Sequence, residues 1–265
     1  MAADKKESIL SLARNTEEKI FLARCIDYIS IVKKRSTRVL TDFLDPGQNG
    51  LLQDMCRGYR ELQVSTWGGY QEAERCRALV YPSDDTGSQP DFQIQILRVV
   101  PLGKQAEPGH RDYLGSLLGL GIKRDVIGDI VPLQKEGAAV FVAREMALFL
   151  SQNLDRVGRH SVRVESIEPD GVLLAPRTVK TRMVTVAALR LDALVSRAFN
   201  LSRSTSASLI RQGKVKQNWR QQLDPAAVVG EGDTISCRGY GKFRVSEDAG
   251  LSRKGRTRVV LEFPN

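Results

Sequence analysis

The chain has 265 residues, 42% of them hydrophobic, and a formal net charge of +9, which allows about two or three small globular domains with cores of their own. No apolar run approaches the roughly 20 residues of a membrane-spanning helix, and the opening MAADKKESIL lacks both the apolar core of a secretory signal and the arginines of a transit peptide. Cys25, Cys56, Cys76 and Cys237 form no C-x-x-C pair and stand near no histidine cluster, which argues against zinc and for reduced, mostly buried thiols in a cytoplasmic protein.

In chain order, Asp4–Arg14 reads as a short helix. Thr16, followed by Glu17 and Glu18, is a helix start with acids at the positive end of the helix dipole. Leu22, Cys25, Ile26, Ile29 and Val32 make an apolar stripe, and Lys33-Lys34-Arg35 suits an exposed helix end rather than a binding site. Asp45-Pro46-Gly47 reads as a turn and Leu51–Cys56 as a helix. Leu62–Trp67 and Arg77–Tyr81 read as strands, on either side of Gly68-Gly69 and a short polar helical segment. Residues 1–82 are thus expected to form a small α-rich α+β domain. Pro82–Pro90 is a polar linker. Asp91–Val100 alternates as a strand, His110–Leu120 is helical, Val126–Pro132 and Ala138–Val142 are strands, Ala143–Leu154 is a helix, and Ser161–Ile167 is a last strand. This β-α-β-β-α-β order over residues 89–175 is the ferredoxin-like arrangement also used by RNA-recognition domains. No exposed aromatic pair for stacking bases is evident in it, so it reads as a packing or protein-contact unit rather than a second RNA reader.

The last third differs in charge. Residues 176–265 hold 17 Lys and Arg against 7 Asp and Glu, a net of +10, which leaves 23 against 24 in residues 1–175, a net of −1. A basic terminal module on a neutral body suggests an anionic partner for that module. Nucleic acid leads, because Lys and Arg on phosphates release counterions; an anionic membrane surface has no strongly amphipathic helix to support it. Within residues 183–265, Arg190–Asn200 is an amphipathic helix. Ser202 is an N-cap for a second helix that ends at Gly213, and Lys214–Asn218 alternates as a strand. Pro225 breaks the chain, Gly230–Asp233 is a turn, and Thr234–Ser236 is a strand. Phe243–Ser246 and Arg258–Phe263 pair as a hairpin; between them Arg253, Lys254 and Arg256 read equally as a phosphate clamp or a solvated tip. Arg203 and Arg211, about 80° apart around a helix, can look the same way.

Arg190-Leu191-Asp192, then Ser202-Arg203, Leu209-Ile210, Gly213 and Val215, then Asn218, then Gly230-Glu231-Gly232-Asp233-Thr234-Ile235, resemble in spacing the S-four RNA-binding domain. In that family the start of the second helix and the following strand lie along structured RNA. The resemblance implies RNA contacts at Arg190, Ser202, Arg203, Ser204, Thr205, Arg211, Lys214, Lys216, Asn218 and Arg220. The family's usual Asn-Gly turn is Asn218-Trp219 here, so the resemblance does not fix the turn type. His110–Arg124, followed by Gly128-Asp129-Ile130, is similar to the YlmH family of bacterial proteins, which carry a C-terminal S-four domain. Arg238-Gly239-Tyr240-Gly241-Lys242 is similar to that family's R-G-aromatic-G-basic extension. It adds Arg238 and Lys242, with Arg253 and Lys254 beyond them, to the expected RNA contacts. Cyanobacterial and plastid members are filed as photosystem II S-four domain proteins. The resemblance implies a ribosomal setting: large-subunit complexes that still hold peptidyl-tRNA, as in rescue of stalled translation.

Enzyme readings fail on the residues. Arg190-Leu191-Asp192 echoes pseudouridine synthases, but no catalytic domain follows it, and Asp192 is expected to pair with a basic neighbour. His110-Arg111-Asp112 echoes a kinase catalytic loop, yet Leu117 stands where Asn is required. Gly115, Gly119 and Gly121 follow no strand directly, so they read as close helix packing rather than a nucleotide fingerprint. A methyltransferase would need a doubly wound domain, and residues 89–175 have the wrong element order. His110 and His160 have no obvious metal or nucleophile partner. The expected protein is an α+β, three-domain, non-catalytic RNA-binding monomer without cofactor, metal or membrane insertion. Accessory roles on free structured RNA or in photosystem assembly are the alternatives. Charge reversal at Arg203 and Arg211 is expected to weaken RNA binding without unfolding.

Overall fold

The computed structural model describes residues 2–11, 13–87, 89–103, 108–169, 172, 174–176, 179–251 and 255–264. It divides into two compact units, Met1–Ala13 with Glu17–Pro176, and Arg14–Thr16 with Arg177–Asn265. No helix among the described residues is long and apolar enough to cross a membrane.

The first unit opens with α1 (Ala2–Ser11) and α2 (Thr16–Arg35). The stripe of α2 packs Phe21, Cys25, Ile29 and Val32 into a core shared with Leu52 and Cys56, and Leu22 is buried beside them in the helix; Phe21, not Ile26, is the fifth fully buried residue of the helix. Strand β1 (Val39–Leu44) leads to α3 (Pro46–Arg57). The expected turn at Asp45-Pro46-Gly47 is instead the start of that helix. Asp45 accepts from the Gln48 amide at 2.8 Å, the Gln48 side chain accepts from the Asp45 amide at 3.0 Å, and Pro46 fills the first helical position. Strands β2 (Leu62–Trp67) and β3 (Cys76–Pro82) complete an antiparallel sheet in the order β1-β3-β2. The expected helix between them is absent: residues 70–75 are bends and turns.

Next come β4 (Ile94–Pro101), α4 (His110–Gly119), β5 (Ile127–Pro132), β6 (Ala138–Ala143), α5 (Arg144–Asn153), β7 (Arg156–Val157) and β8 (His160–Ile167). Their sheet runs β5-β6-β4-β8-β7, all antiparallel. Apart from the two-residue β7, that is the ferredoxin-like order expected from the element sequence. Leu97, Val99, Val140 and Val142 meet Tyr113, Leu117 and Leu150 of the helices on one face. Ile96, Ala139 and Phe141 take the other face, where Tyr70, Val172 and Leu174 cover them. All six residues of β6 are buried in consequence. Tyr70 stacks on Phe141 with ring centroids 4.9 Å apart.

Arg75, before β3, and Arg124 and Asp129, before and within β5, tie the first sheet to the second. Asp129 accepts from the Tyr70 hydroxyl and the Glu74 amide at 2.8 and 2.7 Å. Arg75 donates to the carbonyls of Phe43 and Ile127 at 2.8 and 3.0 Å, and Arg77 to those of Thr41 and Gln93 at 2.8 and 3.0 Å. Arg124 donates to the carbonyls of Ile127 and Gly128. Burial pushes the guanidinium of Arg124 down to about 10, with Arg75 beside it adding to the effect. A Cβ on Gly128 would come within 2.6 Å of the Phe43 ring. The Gly128-Asp129-Ile130 motif is thus a joint.

The second unit contains β9 (Val179–Val186), α6 (Leu191–Phe199), α7 (Arg203–Arg211), β10 (Val215–Gln217), β11 (Arg220–Gln221), β12 (Thr234–Cys237), β13 (Gly241–Leu251) and β14 (Thr257–Pro264). Its six-stranded antiparallel sheet runs β11-β10-β12-β13-β14-β9. Leu191, Leu194, Val195, Ala198 and Ile210 of the helices pack on Val215, Ile235, Phe243, Val245, Val259 and Leu261 of one sheet face. The pairing of β13 with β14 is the hairpin expected from the sequence.

Candidate nucleic-acid interface

The geometry starts from the corner between α6 and α7. Asn200 closes α6 in the left-handed conformation at φ 54°, which a short amide side chain tolerates. The Ser196 hydroxyl and amide-carbonyl pairing to Leu201 hold the bend. Ser202 then caps α7, accepting from the Thr205 amide at 3.0 Å, and its hydroxyl lies 2.8 and 2.7 Å from those of Ser204 and Thr205. Ser202, Arg203, Ser204 and Thr205 are all exposed, so a cation and three hydroxyls crowd the positive end of this helix dipole.

Asp192 stands behind this group. Arg203 donates to both its oxygens at 2.7 Å, and Arg190 reaches the same carboxylate at 3.2 and 3.0 Å. The Asp192 side chain is 8% exposed, against 57% for Arg203 and 43% for Arg190. Burial opposes its charge, but the hydrogen bonds from the two arginines outweigh burial and hold the carboxyl below its ordinary value. Asp192 therefore has the basic neighbours expected of it. The expectation for Arg203 changes: a glutamate there would face a buried carboxylate, so charge reversal would disturb the fold as well as the surface.

At the far end of α7, roughly 12 Å along its axis, a second group forms. Gly213 takes φ 70°, the left-handed cap expected of it. The chain then turns so that the Arg238 amide donates to the Lys214 carbonyl at 2.9 Å. Arg211, Lys214 and Arg238 are all exposed in this neighbourhood. Arg238-Gly239-Tyr240 is the turn between β12 and β13, with Gly239 at φ 89°. Tyr240 is 44% exposed, its ring 5.8 Å from that of Phe199. An exposed aromatic among cations is suited to stacking on a base. The sequence signal was the aromatic inside the R-G-x-G turn.

Asn218 and Trp219 occupy the two-residue turn joining Gln217 to its partner Arg220. Both have positive φ, 51° and 63°, the signature of a type I′ turn. Asn218 is exposed but engaged: it donates to Asp233 at 2.7 Å and accepts from the Thr234 amide at 2.9 Å. Asp233 also accepts from Gln217 and the Gly230 amide at 2.7 and 2.9 Å. Asn218 and Asp233 thus fix the turn, and Arg220 is half-buried beside it. Lys216 and Lys242 are half-buried and belong to the sheet face away from the helices. Arg253 and Lys254 lie outside the described residues, whereas Arg256 precedes β14 and is exposed.

The other expectations resolve locally. Asp112 of the His110-Arg111-Asp112 triplet accepts from the Gly109 amide at 2.8 Å at the start of α4. His160 is buried. The four cysteines are unpaired with one another, and burial pushes Cys25 up to about 12 and Cys56 and Cys76 up to about 11.

Comparison with known proteins matches residues 17–85 to "YlmH, N-terminal", residues 87–170 to "Putative RNA-binding domain in YlmH" and residues 189–235 to "S4 domain". The chain is 33% identical over 246 residues to the "Ribosome-associated protein quality control protein P2" of Bacillus subtilis (strain 168), covering 93% of this chain and 95% of that protein. Among solved structures it is similar to "Cell division protein ylmH from Streptococcus pneumoniae", with a TM-score of 0.52 and 25% identity over 60% of this chain and 97% of that one. With three family segments in order and a relative aligned along nearly its whole length, the chain belongs to the YlmH family.

Proposed function

We propose that this protein binds structured RNA through its C-terminal S4 unit, by phosphate contacts and shape, in the quality control of translation. The supporting observation is the gathering of Arg211, Lys214 and Arg238, all exposed, at the end of α7, one helix length from its hydroxyl-rich start. Cations on a rigid scaffold, with few carboxylates among them, suit a phosphate backbone more than a base sequence. The relative's name supplies the setting, ribosome-associated quality control. In this reading the RNA is ribosomal, the large subunit is the platform, and peptidyl-tRNA retained there is the second RNA. No residue is assigned a catalytic role.

Co-sedimentation with ribosomal fractions at two salt concentrations tests this, comparing wild type with Arg211→Glu/Lys214→Glu. That pair leaves Asp192 and its arginines intact. Wild type should travel with large subunits and the variant should not. Equal migration of both proteins would remove α7 as the anchor. Tight binding to deproteinised RNA without binding to subunits would move the setting to free RNA.

A further inference from the structure

We propose that the outer face of the C-terminal sheet, turned away from α6 and α7, is a second phosphate-contact surface for RNA, built from Lys216, Lys242, Arg244 and Arg258. This rests on the RNA-binding reading above and extends its footprint. The argument is one of register. Val215, Ile235, Phe243, Val245, Val259 and Leu261 point into the core beneath the helices. Side chains alternate along a strand, so their neighbours point the opposite way. Lys216 pairs with Ser236, Ser236 with Lys242, Thr234 with Arg244, and Arg244 with Glu262; Arg258 stands opposite Thr185. Directly paired residues share a face, so these side chains form one surface. Lys216, Ser236 and Lys242 line up across three strands, about 10 Å from first to last at ~4.8 Å per strand.

A solvated antiparallel sheet is polar outside in any case. Polarity alone would balance the signs of charge, and this face is weighted to cations. Its outward positions on β10, β12, β13 and β14 offer four cations against two carboxylates: Glu262, which already accepts from the Ser246 hydroxyl at 2.7 Å, and Glu247, opposite Val260 beyond the bulge in β13. Ser236, Thr234 and Thr185 add hydroxyls between the cations. Arg244 and Arg258 are exposed. Lys214 and Arg238, just beyond the ends of β10 and β12, continue the outward parity and meet the α7 group at the rim. The surface thus runs from α7 over that rim and across the sheet, as a backbone wrapping the unit would require.

Fluorescence titration of the full-length chain with labelled, deproteinised large-subunit ribosomal RNA tests this at several salt concentrations. Lys242→Gln/Arg244→Gln should weaken binding about tenfold and reduce the slope of log affinity against log salt by about 1–2. Arg211→Gln/Lys214→Gln should do likewise, with the losses multiplying in the quadruple variant. Arg244→Glu alone, at an exposed position, guards against misfolding and should also weaken binding. If Lys242→Gln/Arg244→Gln keeps wild-type affinity and slope while Arg211→Gln/Lys214→Gln loses both, the sheet face is not a contact surface, though the α7 reading stands. If the wild type does not bind the RNA at all, the RNA-binding reading itself falls. Capture of polyglutamate in preference to the RNA by the wild type, lost in Lys242→Gln/Arg244→Gln, would give the face to an acidic protein and overturn the proposal.

Discussion

Asp192 stands between two guanidinium groups, so its protonation is coupled to folding. Its folded pKa is depressed, so the stability it lends is full above the unfolded value of about 4 and is lost as pH falls through the lower folded value. Asp192→Asn should cost about 2 kcal/mol at neutral pH and flatten the acid limb of stability, read by denaturant titration between pH 7 and 3. Trp219 holds φ 63°, a left-handed conformation that glycine adopts without strain. Trp219→Gly should gain about 1 kcal/mol in the same titration by relieving the left-handed strain. The basic character of Arg203 and the pairing of Asp192 were legible in the sequence. That the two meet was not, because eleven positions of chain separate them and only the α6–α7 corner brings them together. Asn218 shows the same limit: nothing in its local sequence announced the bonds to Asp233 and Thr234 that hold its side chain in the turn.

At the scale of elements, local chemistry wrote the C-terminal helices plainly. Ser202 caps α7 and Gly213 ends it, as their types require. Ser202→Ala should cost about 1 kcal/mol, seen as a lower thermal midpoint. Asp45-Pro46-Gly47 misled because Asp-Pro serves a turn and a helix start equally well; Gln48, which completes the capping box, was the deciding signal. The polar stretch 70–75 misled for another reason. Its order comes from distant partners, Phe141 for Tyr70 and Asp129 for the backbone at Glu74 and Arg75. Gly128→Ala would push a methyl group against Phe43 and should cost about 1–3 kcal/mol without changing the salt dependence of RNA binding, since the substitution lies in the other unit.

For the molecule as a whole, the sequence showed where the charge changes, and among the described residues the structure packs three hydrophobic clusters in the first unit and one in the second, on either side of that change. Leu97→Ala and Val195→Ala, at fully buried positions in different units, should each lower one transition in calorimetry and leave the other nearly unmoved. A single transition shifted by both variants would show that the units unfold together. The helix-free face of the ferredoxin-like sheet, read from the sequence as a packing or protein-contact unit, is covered by Tyr70, Val172 and Leu174, a long-range outcome that no strand pattern announces. The sheet order of the second unit has a consequence for how the molecule is made. Strand β14 lies between β13 and β9, with Val186 opposite Thr257. While the chain emerges from its N-terminal side, β9 must wait with a bare edge through the synthesis of two helices and four strands. Only when Thr257–Pro264 arrives can β9 join the sheet, so a premature stop between β13 and that strand leaves the facing edges of β13 and β9 open and prone to aggregation rather than a shorter domain.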